Sequence, residues 1–521
     1  MKKIFLTFCC LYAVFCFAQN SGNHLPSLVT KNNYVQLLVN NKPYLIFGGE
    51  LGNSSASSNE YMKPIWSKLK QMNLNTVIAP VYWELIEPVE GKFNFLLVDS
   101  LINNARVNKM KLVLLWFGSW KNSMSCYVPA WVKTNTDKYP RALNKNGIPQ
   151  EILTPFSKNN LEADKKAFVQ LMQHLKETDS KQNTVIAIQV ENEIGMLPDA
   201  RTYDDAANAA FKNNVPQKLL TALQKNAGTW EQVFGENLLT DEIFMAWHYA
   251  SFVNQLAVAG KAVYNLPMYV NAALNRKGWL PGHYPSAGPL PHLMDIWKTA
   301  APSIDILAPD IYFPDFKNWC DKYTQQKNNP LFIPEIKFDE SIAAKAFFAF
   351  GNYNCLSFSP FSIESTEHPE KEPIGKAYNI LQQISHLITT YQTTNNVKGF
   401  LLSKDSSTQT ITLGNYNLTV SHEYTLGWSP NAKDSVWQLA GGIIICVAPD
   451  EFYVAGTGFV ITFSSTETNR KAGFISVDEG KFVDKKFVTG RRMNGDQNHQ
   501  GRHVRISCND YGIQHVKLYT Y

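Results

Sequence analysis

Past its first 18 residues, the 521-residue chain has no run of about 18 consecutive apolar residues, which a membrane-crossing helix requires. It also lacks an excess of one charge. The 49 Lys and Arg stand against 44 Asp and Glu, and a net +5 is too balanced for a nucleic-acid binder, which would show a basic stripe. Cysteine is scarce, eight in all, and no Cys-x-x-Cys pair exists, so neither a zinc site nor a disulfide framework is indicated. No internal repeat or low-complexity tract occurs. The only glycine-rich candidate for cradling a phosphate, Gly456-Thr457-Gly458, sits in a β-rich stretch with no helix behind it. What the chain has in surplus is aromatic: 12 Trp and 23 Tyr exceed what a core needs. Such rings stack on the apolar faces of sugars while offering a polar handle.

Lys2 and Lys3 precede an apolar stretch from Ile4 to Phe17, and Ala18 then gives way to Gln19-Asn20-Ser21. A charged start, a short apolar core and a small residue at the cut read as a secretory signal over residues 1–18. The expected location is across the inner membrane, in the periplasm, with the cell surface or exterior as alternatives. Cleavage removes Cys9, Cys10 and Cys16 and leaves Cys126, Cys320, Cys355, Cys446 and Cys508, an odd and widely spaced set expected to be mostly buried free thiols.

From about residue 40 to 390, short β-branched runs alternate with longer stretches of helical period. The predicted strands are Tyr44–Gly49, Thr76–Val81, Leu112–Phe117, Val185–Val190, Met268–Asn271, Ile304–Pro309, Leu331–Pro334 and Leu356–Pro360. Between them, sets such as Tyr61, Ile65, Trp66, Leu69 and Met72 fall on one helix face. Strands alternating with helices imply a parallel sheet, and eight such units suggest an α/β (β/α)8 TIM barrel spanning 19–392. A doubly wound open sheet is the rival. The largest insertion lies between Gly195 and Thr240. After Pro373–Tyr391 the texture changes to alternating runs such as Phe459–Phe463 and His515–Tyr519, so residues 393–521 read as an all-β sandwich.

Catalysis in such a barrel belongs at the C-terminal ends of the strands. Those ends hold Glu50, Glu84, Asn122, Glu191-Asn192-Glu193, Asn271, Asp310, Tyr312, Glu335 and Glu364. Carboxylates, amides and aromatics gather there, whereas Ser-His-Asp and metal-ligand spacings do not. The fourth strand runs directly into Glu191-Asn192-Glu193, and the seventh delivers Glu335 in the same way. Two carboxylates facing each other across a barrel mouth suit retaining glycoside hydrolysis, with an expected separation of about 5–5.5 Å.

These residues resemble the clan of retaining barrel glycosidases. Gln189-Val190-Glu191-Asn192-Glu193-Ile194-Gly195 is similar to the Q-x-E-N-E-Y/I-G signature of the family-35 glycoside hydrolases, the β-galactosidases. Trp83 through Glu87-Pro88 with Gly91–Phe95, and Val128-Pro129-Ala130-Trp131, resemble further family stretches in the same order. Gly48-Gly49-Glu50-Leu51-Gly52-Asn53 looks like the first-strand motif of a bacterial subgroup that carries a C-terminal β-sandwich. Two departures stand out. Many family members read S-E-F/Y-x-G-W where this chain has Pro334-Glu335-Ile336-Lys337-Phe338, and C-A-E-W where it has Trp120-Lys121-Asn122-Ser123.

The resemblance implies Glu193 as general acid/base, Glu335 as nucleophile and Asn192 as a hydrogen-bond partner of the sugar 2-OH. Glu191 is expected either to support its neighbours or to pair with an Arg or Lys. The walls of the sugar site are expected from Glu50, Trp83, Asn122, Trp279 and Tyr312, with Trp120 also at the mouth, while Asp310 and Glu364 stay open as functional or structural. The implied activity is exo-β-galactosidase action on terminal galactose of plant polysaccharide side chains or oligosaccharides, of xyloglucan or galactan type. No metal or organic cofactor is expected. The expected partner is a carbohydrate substrate, with a homodimer possible, no nucleic acid and no membrane span; the sandwich is open to binding glycan, shaping the pocket rim or mediating a dimer. The alternatives are another retaining glycosidase of the clan, such as a family-42-like galactosidase, and a barrel that only binds glycan.

Overall fold

The computed structural model describes residues 24–521 apart from 33 and 327, so the expected signal at 1–18 lies outside the described residues. Eight parallel strands close into a barrel: β1 (Ile46–Glu50), β2 (Thr76–Tyr82), β3 (Lys111–Lys121), β4 (Val185–Asn192), β5 (Met268–Ala273), β6 (Ile306–Ile311), β7 (Phe332–Ile336) and β8 (Ser357–Pro360). Each pairs with its chain neighbour, and β8 returns to β1 through Ser357 against Ile46. Every residue of β2, β4, β6 and β7 is buried, because helices cover the outside and side chains fill the inside. Strand starts and ends shift by no more than two residues from the sequence reading, except that β3 runs four residues further, to Lys121; Glu50 thereby falls in β1 and Asp310 in β6. The insertion after Gly195 folds as three short helices, Asp205–Phe211, Gln217–Leu223 and Trp230–Phe234.

Two elements have no counterpart in the sequence reading. An antiparallel sheet of Ser27–Lys31, Tyr34–Val39 and Lys42–Pro43 sets Leu28 and Leu37 against Ala187, Met268, Ile306 and Phe332 at the N-terminal end of the barrel. The hollow left there holds only about 10 Å³, so that end is plugged. A hairpin of Arg141–Leu143 and Pro149–Leu153 lies over the other end, between β3 and the following helix.

The C-terminal strands form a six-stranded and a four-stranded antiparallel sheet. Phe400, Tyr416, Leu418, Phe452, Phe459, Ile461 and Val516 are buried together in their core. Ile443, Ile445, Ala455 and Ile513 of the larger sheet belong instead to the barrel's own apolar cluster. Helices Ile342–Asn352 and Pro373–Tyr391 meet this sheet. At the seam the backbones nearly touch: a Cβ on Gly351 would stand 2.7 Å from the Cα of Gly399. Only glycine fits such an approach. Of the five described cysteines, all free, Cys320, Cys355 and Cys446 are buried, Cys508 is partly so and Cys126 is exposed. Among the described residues no helix is long and apolar enough to cross a membrane.

Candidate active site

The barrel mouth is shaped by two local irregularities. Between Trp116 and Lys121 the register of β3 against β4 shifts, so that Lys121 pairs with Asn192. Just beyond, Asn122 and Ser123 adopt left-handed backbone conformations, and so do Glu191 (φ 62°) and Glu193 (φ 43°) at the end of β4. Such conformations are costly for residues with a Cβ and cluster at functional sites. They are held by Asn122 N–H on the carbonyl of Asn192 (3.2 Å), Ser123 N–H on that of Glu193 (3.1 Å) and Glu193 N–H on Oδ1 of Asn271 (2.9 Å). The twist separates the two acids. Glu191 turns toward helix Lys158–Asp179, where it accepts from Trp120 N–H at 2.7 Å beside Asp164, and Glu193 enters the mouth.

Carboxylate oxygens of Glu193, Asp310 and Glu335 lie within 4.8 Å of one another. Glu335 sits on β7 directly across from Asp310 on β6. Each acid is tied by one donor: Asn122 Nδ2 to Glu193, the Tyr312 hydroxyl to Glu335, and Asn271 Nδ2 to Asp310 at 2.6 Å. Glu50, fully buried, reaches Glu335 carboxyl to carboxyl, and Asp310 reaches Glu193 likewise. Lys121, also buried, donates to Oδ1 of Asn122.

Burial and mutual repulsion govern the protons here. Burial, then the charge of Glu193, pushes Glu335 up to about 7, while Lys121, the Tyr312 hydroxyl and Glu50 pull it back down. Burial and the charge of Glu335 raise Glu50 and Asp310 well above the carboxylate range. Burial and Glu335 raise the Tyr312 phenol, which keeps its hydrogen. Beside this cluster both polar atoms of the Asn192 side-chain amide are buried and lack any protein partner. Orphaned buried polar groups are costly, and a ligand bearing several hydroxyls would satisfy them.

Of the residues expected at the site, Glu193, Glu335, Asn192, Glu50, Asn122 and Tyr312 come together here. Trp279 lies in the loop after β5, 45% exposed, with Arg276 over its ring at 4.9 Å. Trp83 is a correction. It is fully buried, its indole N–H bonds Glu87 at 2.8 Å, and its ring packs on Trp116 and Trp131, so it supports β2 and is no sugar wall. Trp120 is likewise interior, bonded to the Leu153 carbonyl and packed on Tyr249 and Phe252. Glu364 proves structural: Gly52 N–H and the Ser55 hydroxyl hold its carboxylate, and Lys68 holds its carbonyl. Asp310, left open by the sequence, belongs to the cluster. Lys121 was not singled out, although a lysine ending a buried barrel strand was a readable signal.

The three clustered carboxylates form an oxygen set of the kind that hard divalent cations accept. One oxygen of each is already engaged by Asn122, Tyr312 or Asn271.

Residues 53–241 match the glycoside hydrolase family 42 model, described as beta-galactosidase, and residues 374–505 match a domain of unknown function, DUF5597. Beta-galactosidase-1-like protein 3 of Homo sapiens is 29% identical over 220 residues, which are 38% of this chain and 31% of that protein. Its Mus musculus counterpart is 27% identical over 215 residues, 39% of this chain and 31% of that protein. The match thus spans about a third of these relatives' length. The crystal structure of a β-galactosidase from the psychrophilic Marinomonas ef1 aligns with a TM-score of 0.46 at 12% identity, covering 66% of this chain and 60% of that one. Over the first half of its barrel, the chain is similar to β-galactosidase-type glycoside hydrolases.

Proposed function

We propose that the protein is a retaining exo-β-galactosidase. The observation that carries this reading is the buried pair Glu193 and Glu335, with carboxylate oxygens no more than 4.8 Å apart, beside the unpartnered side-chain amide of Asn192. That spacing is in keeping with double displacement, in which the two carboxyls stand about 5–5.5 Å apart, and is shorter than the roughly 6.5–9.5 Å that admits an inverting water. The burial of both carboxyls, each only 5% exposed, supports a terminal sugar over the middle of a chain.

Glu193 and Glu335 share one proton in the first step; in the productive form it is on Glu193, which gives it to the leaving oxygen while Glu335, as carboxylate, attacks the anomeric carbon. The glycosidic C–O bond breaks as the glycosyl ester forms. Glu193 then takes a proton from water, whose oxygen attacks the same carbon and releases Glu335. The Tyr312 hydroxyl and Lys121 favour the anionic form of Glu335. Asn192, Glu50 and Asp310 are placed to bind sugar hydroxyls, Asn192 at the 2-OH, where bonds tighten in the transition state. Terminal galactose on xyloglucan- or galactan-type side chains is the proposed substrate, in a periplasmic setting, in the family-35 subgroup that the Gln189–Gly195 heptapeptide resembles. The match of residues 53–241 to the family-42 model favours a second assignment, with the same chemistry but a different family.

Turnover of p-nitrophenyl β-galactoside by the wild type and by Glu335→Gln tests the proposal. Hydrolysis that Glu335→Gln abolishes supports it. No hydrolysis of any aryl glycoside would leave a barrel that only binds glycan, and an unchanged rate in Glu335→Gln would remove the nucleophile assignment.

A further inference from the structure

The segments that follow β7 and β8 run into a cavity beside the sandwich. A cleft of about 1010 Å³ opens between the segment after β7, starting at Phe338 only three residues beyond Glu335, the segment after β8, starting at Ser365 next to Glu364, and the sandwich. This puts the cleft on the same end of the barrel as the carboxylates, at the rim that β7 and β8 contribute. Ser365 is shared with a smaller hollow of about 680 Å³ that reaches along Gly52–Ser55 beside the end of β1. The sandwich supplies the outer wall through the stretch before strand Ala440–Ala448, with Trp437 at its centre.

The chemistry of the lining selects a ligand class. Phe338, Trp437 and Tyr511 are half-buried aromatics of the kind that stack on sugar faces. Trp437 is held on His422 (4.8 Å) and Tyr424 (5.6 Å), and its indole N–H has no acceptor in the protein. The charges nearly cancel, with Asp339, Glu340 and Glu372 against Lys371 and Lys376, which suits a neutral polar ligand better than an anion or a basic peptide. The volume lies at the top of the range of small-molecule sites, about 300–1,000 Å³, which is more than one sugar ring requires.

We infer that this cleft binds the neutral oligosaccharide from which the terminal sugar is removed, so that the sandwich helps to select the leaving group. The inference rests on the glycosidase reading for its link to turnover. Trp437, more than 100 residues along the chain from Glu335, then acts as a specificity residue for the part of the substrate beyond the cleaved bond.

The test compares two substrates in wild type, Trp437→Ala and Phe338→Ala. One is p-nitrophenyl β-galactoside, which carries no sugar beyond the cleaved bond; the other is a galactosylated xyloglucan oligosaccharide. The expected result is a roughly five- to tenfold loss of kcat/KM on the oligosaccharide, through KM, corresponding to one lost stacking contact. The aryl rate stays unchanged, which also shows that the variants fold. Equal losses on both substrates, or none on either, would overturn the inference. If the wild type cleaves neither substrate, the glycosidase reading falls, and calorimetric binding of the same oligosaccharide decides about the cleft alone: binding that Trp437→Ala weakens sustains it, and binding that is absent or unaffected refutes it.

Discussion

The backbone N–H of Glu193 donates to Oδ1 of Asn271 at 2.9 Å, so a side chain on β5 fixes the turn by which the acid after β4 enters the mouth. The other end of the same amide donates to Asp310 at 2.6 Å. One asparagine thereby orders two of the three clustered carboxyls. Asn271→Ala is expected to lower kcat by roughly 10- to 100-fold with a smaller change in KM, and to cost about 1–3 kcal/mol of stability through the donors and acceptors left unpaired. Steady-state kinetics with a melting curve would check both. An unchanged kcat would mean that the left-handed turn at Glu193 holds without its partner.

The roles of the two glutamates separate by leaving group. With Glu193→Ala, aryl galactosides whose phenol leaves without help should retain most of their first-step rate, while an oligosaccharide should lose about 10²–10⁴-fold, the range of lost general acid catalysis. Glu335→Gln should abolish both. A Glu193→Ala variant that fails equally on every leaving group would reverse the assignment.

Ionisation of Glu335 should set the acidic limb of activity. With its carboxyl pushed up to about 7, kcat/KM is expected to rise with pH through that region. Tyr312→Phe removes a donor that favours the anion, so the limb should move to higher pH, and a shift to lower pH would contradict the geometry.

The same group affects folding. Because its folded value lies above the ordinary 4.5, the native state holds a proton that the unfolded chain has released, and stability should fall as pH rises from about 4.5 to about 7. Glu335→Gln should flatten that slope in a pH series of denaturant midpoints. A slope of the opposite sign would show that Glu335 is ionised throughout.

Beneath the mouth, Asp164 accepts from Trp116 Nε1 at 2.8 Å and Ser119 N–H at 3.0 Å, with Glu191 raised well above the carboxylate range by burial and by Asp164. Burial raises Asp164 as well, so the two carboxyls are placed to share a proton. A side chain at Gly118 would strike both: its Cβ would fall 2.6 Å from Glu191 Oε1 and 2.9 Å from Asp164 Oδ1. Glu191→Gln, which keeps a donor, should cost under about 1.5 kcal/mol, whereas Asp164→Ala strands several buried donors and should cost roughly 3 kcal/mol or more. Equal losses in chemical denaturation would refute the shared proton.

Chelation tests the oxygen cluster directly. Hydrolysis is expected to survive prolonged EDTA treatment, because both steps use carboxyl groups alone. A loss that added Ca²⁺ or Mg²⁺ restores would mean that Glu193, Asp310 and Glu335 hold a cation.

What could be read from the chain follows from what is local. A parallel barrel strand is buried on both faces, so β4 and β7 appear as unbroken apolar runs, and a glutamate ending such a run has few places to go but the mouth. The joining of Glu50 to Glu335, and of Asp310 to Glu193, depends on closure between distant strands, which no spacing reveals. Trp83 and Trp120 were misjudged for a different reason. Each sits at a strand end, but the partner of its indole N–H draws it inward, Glu87 in one case and the Leu153 carbonyl in the other. The first of these was visible as a pair four residues apart. The plugging sheet at Ser27–Pro43 escaped notice because its three short strands carry too little pattern.

The approach of Gly351 to Gly399 sets how tightly the two parts are joined. A joint made of backbone against backbone tolerates no drift in either partner, since any added side chain would prise the sheet from the helix. The barrel and the sandwich thus meet as one packed body at this seam, and a methyl group at either glycine should loosen both.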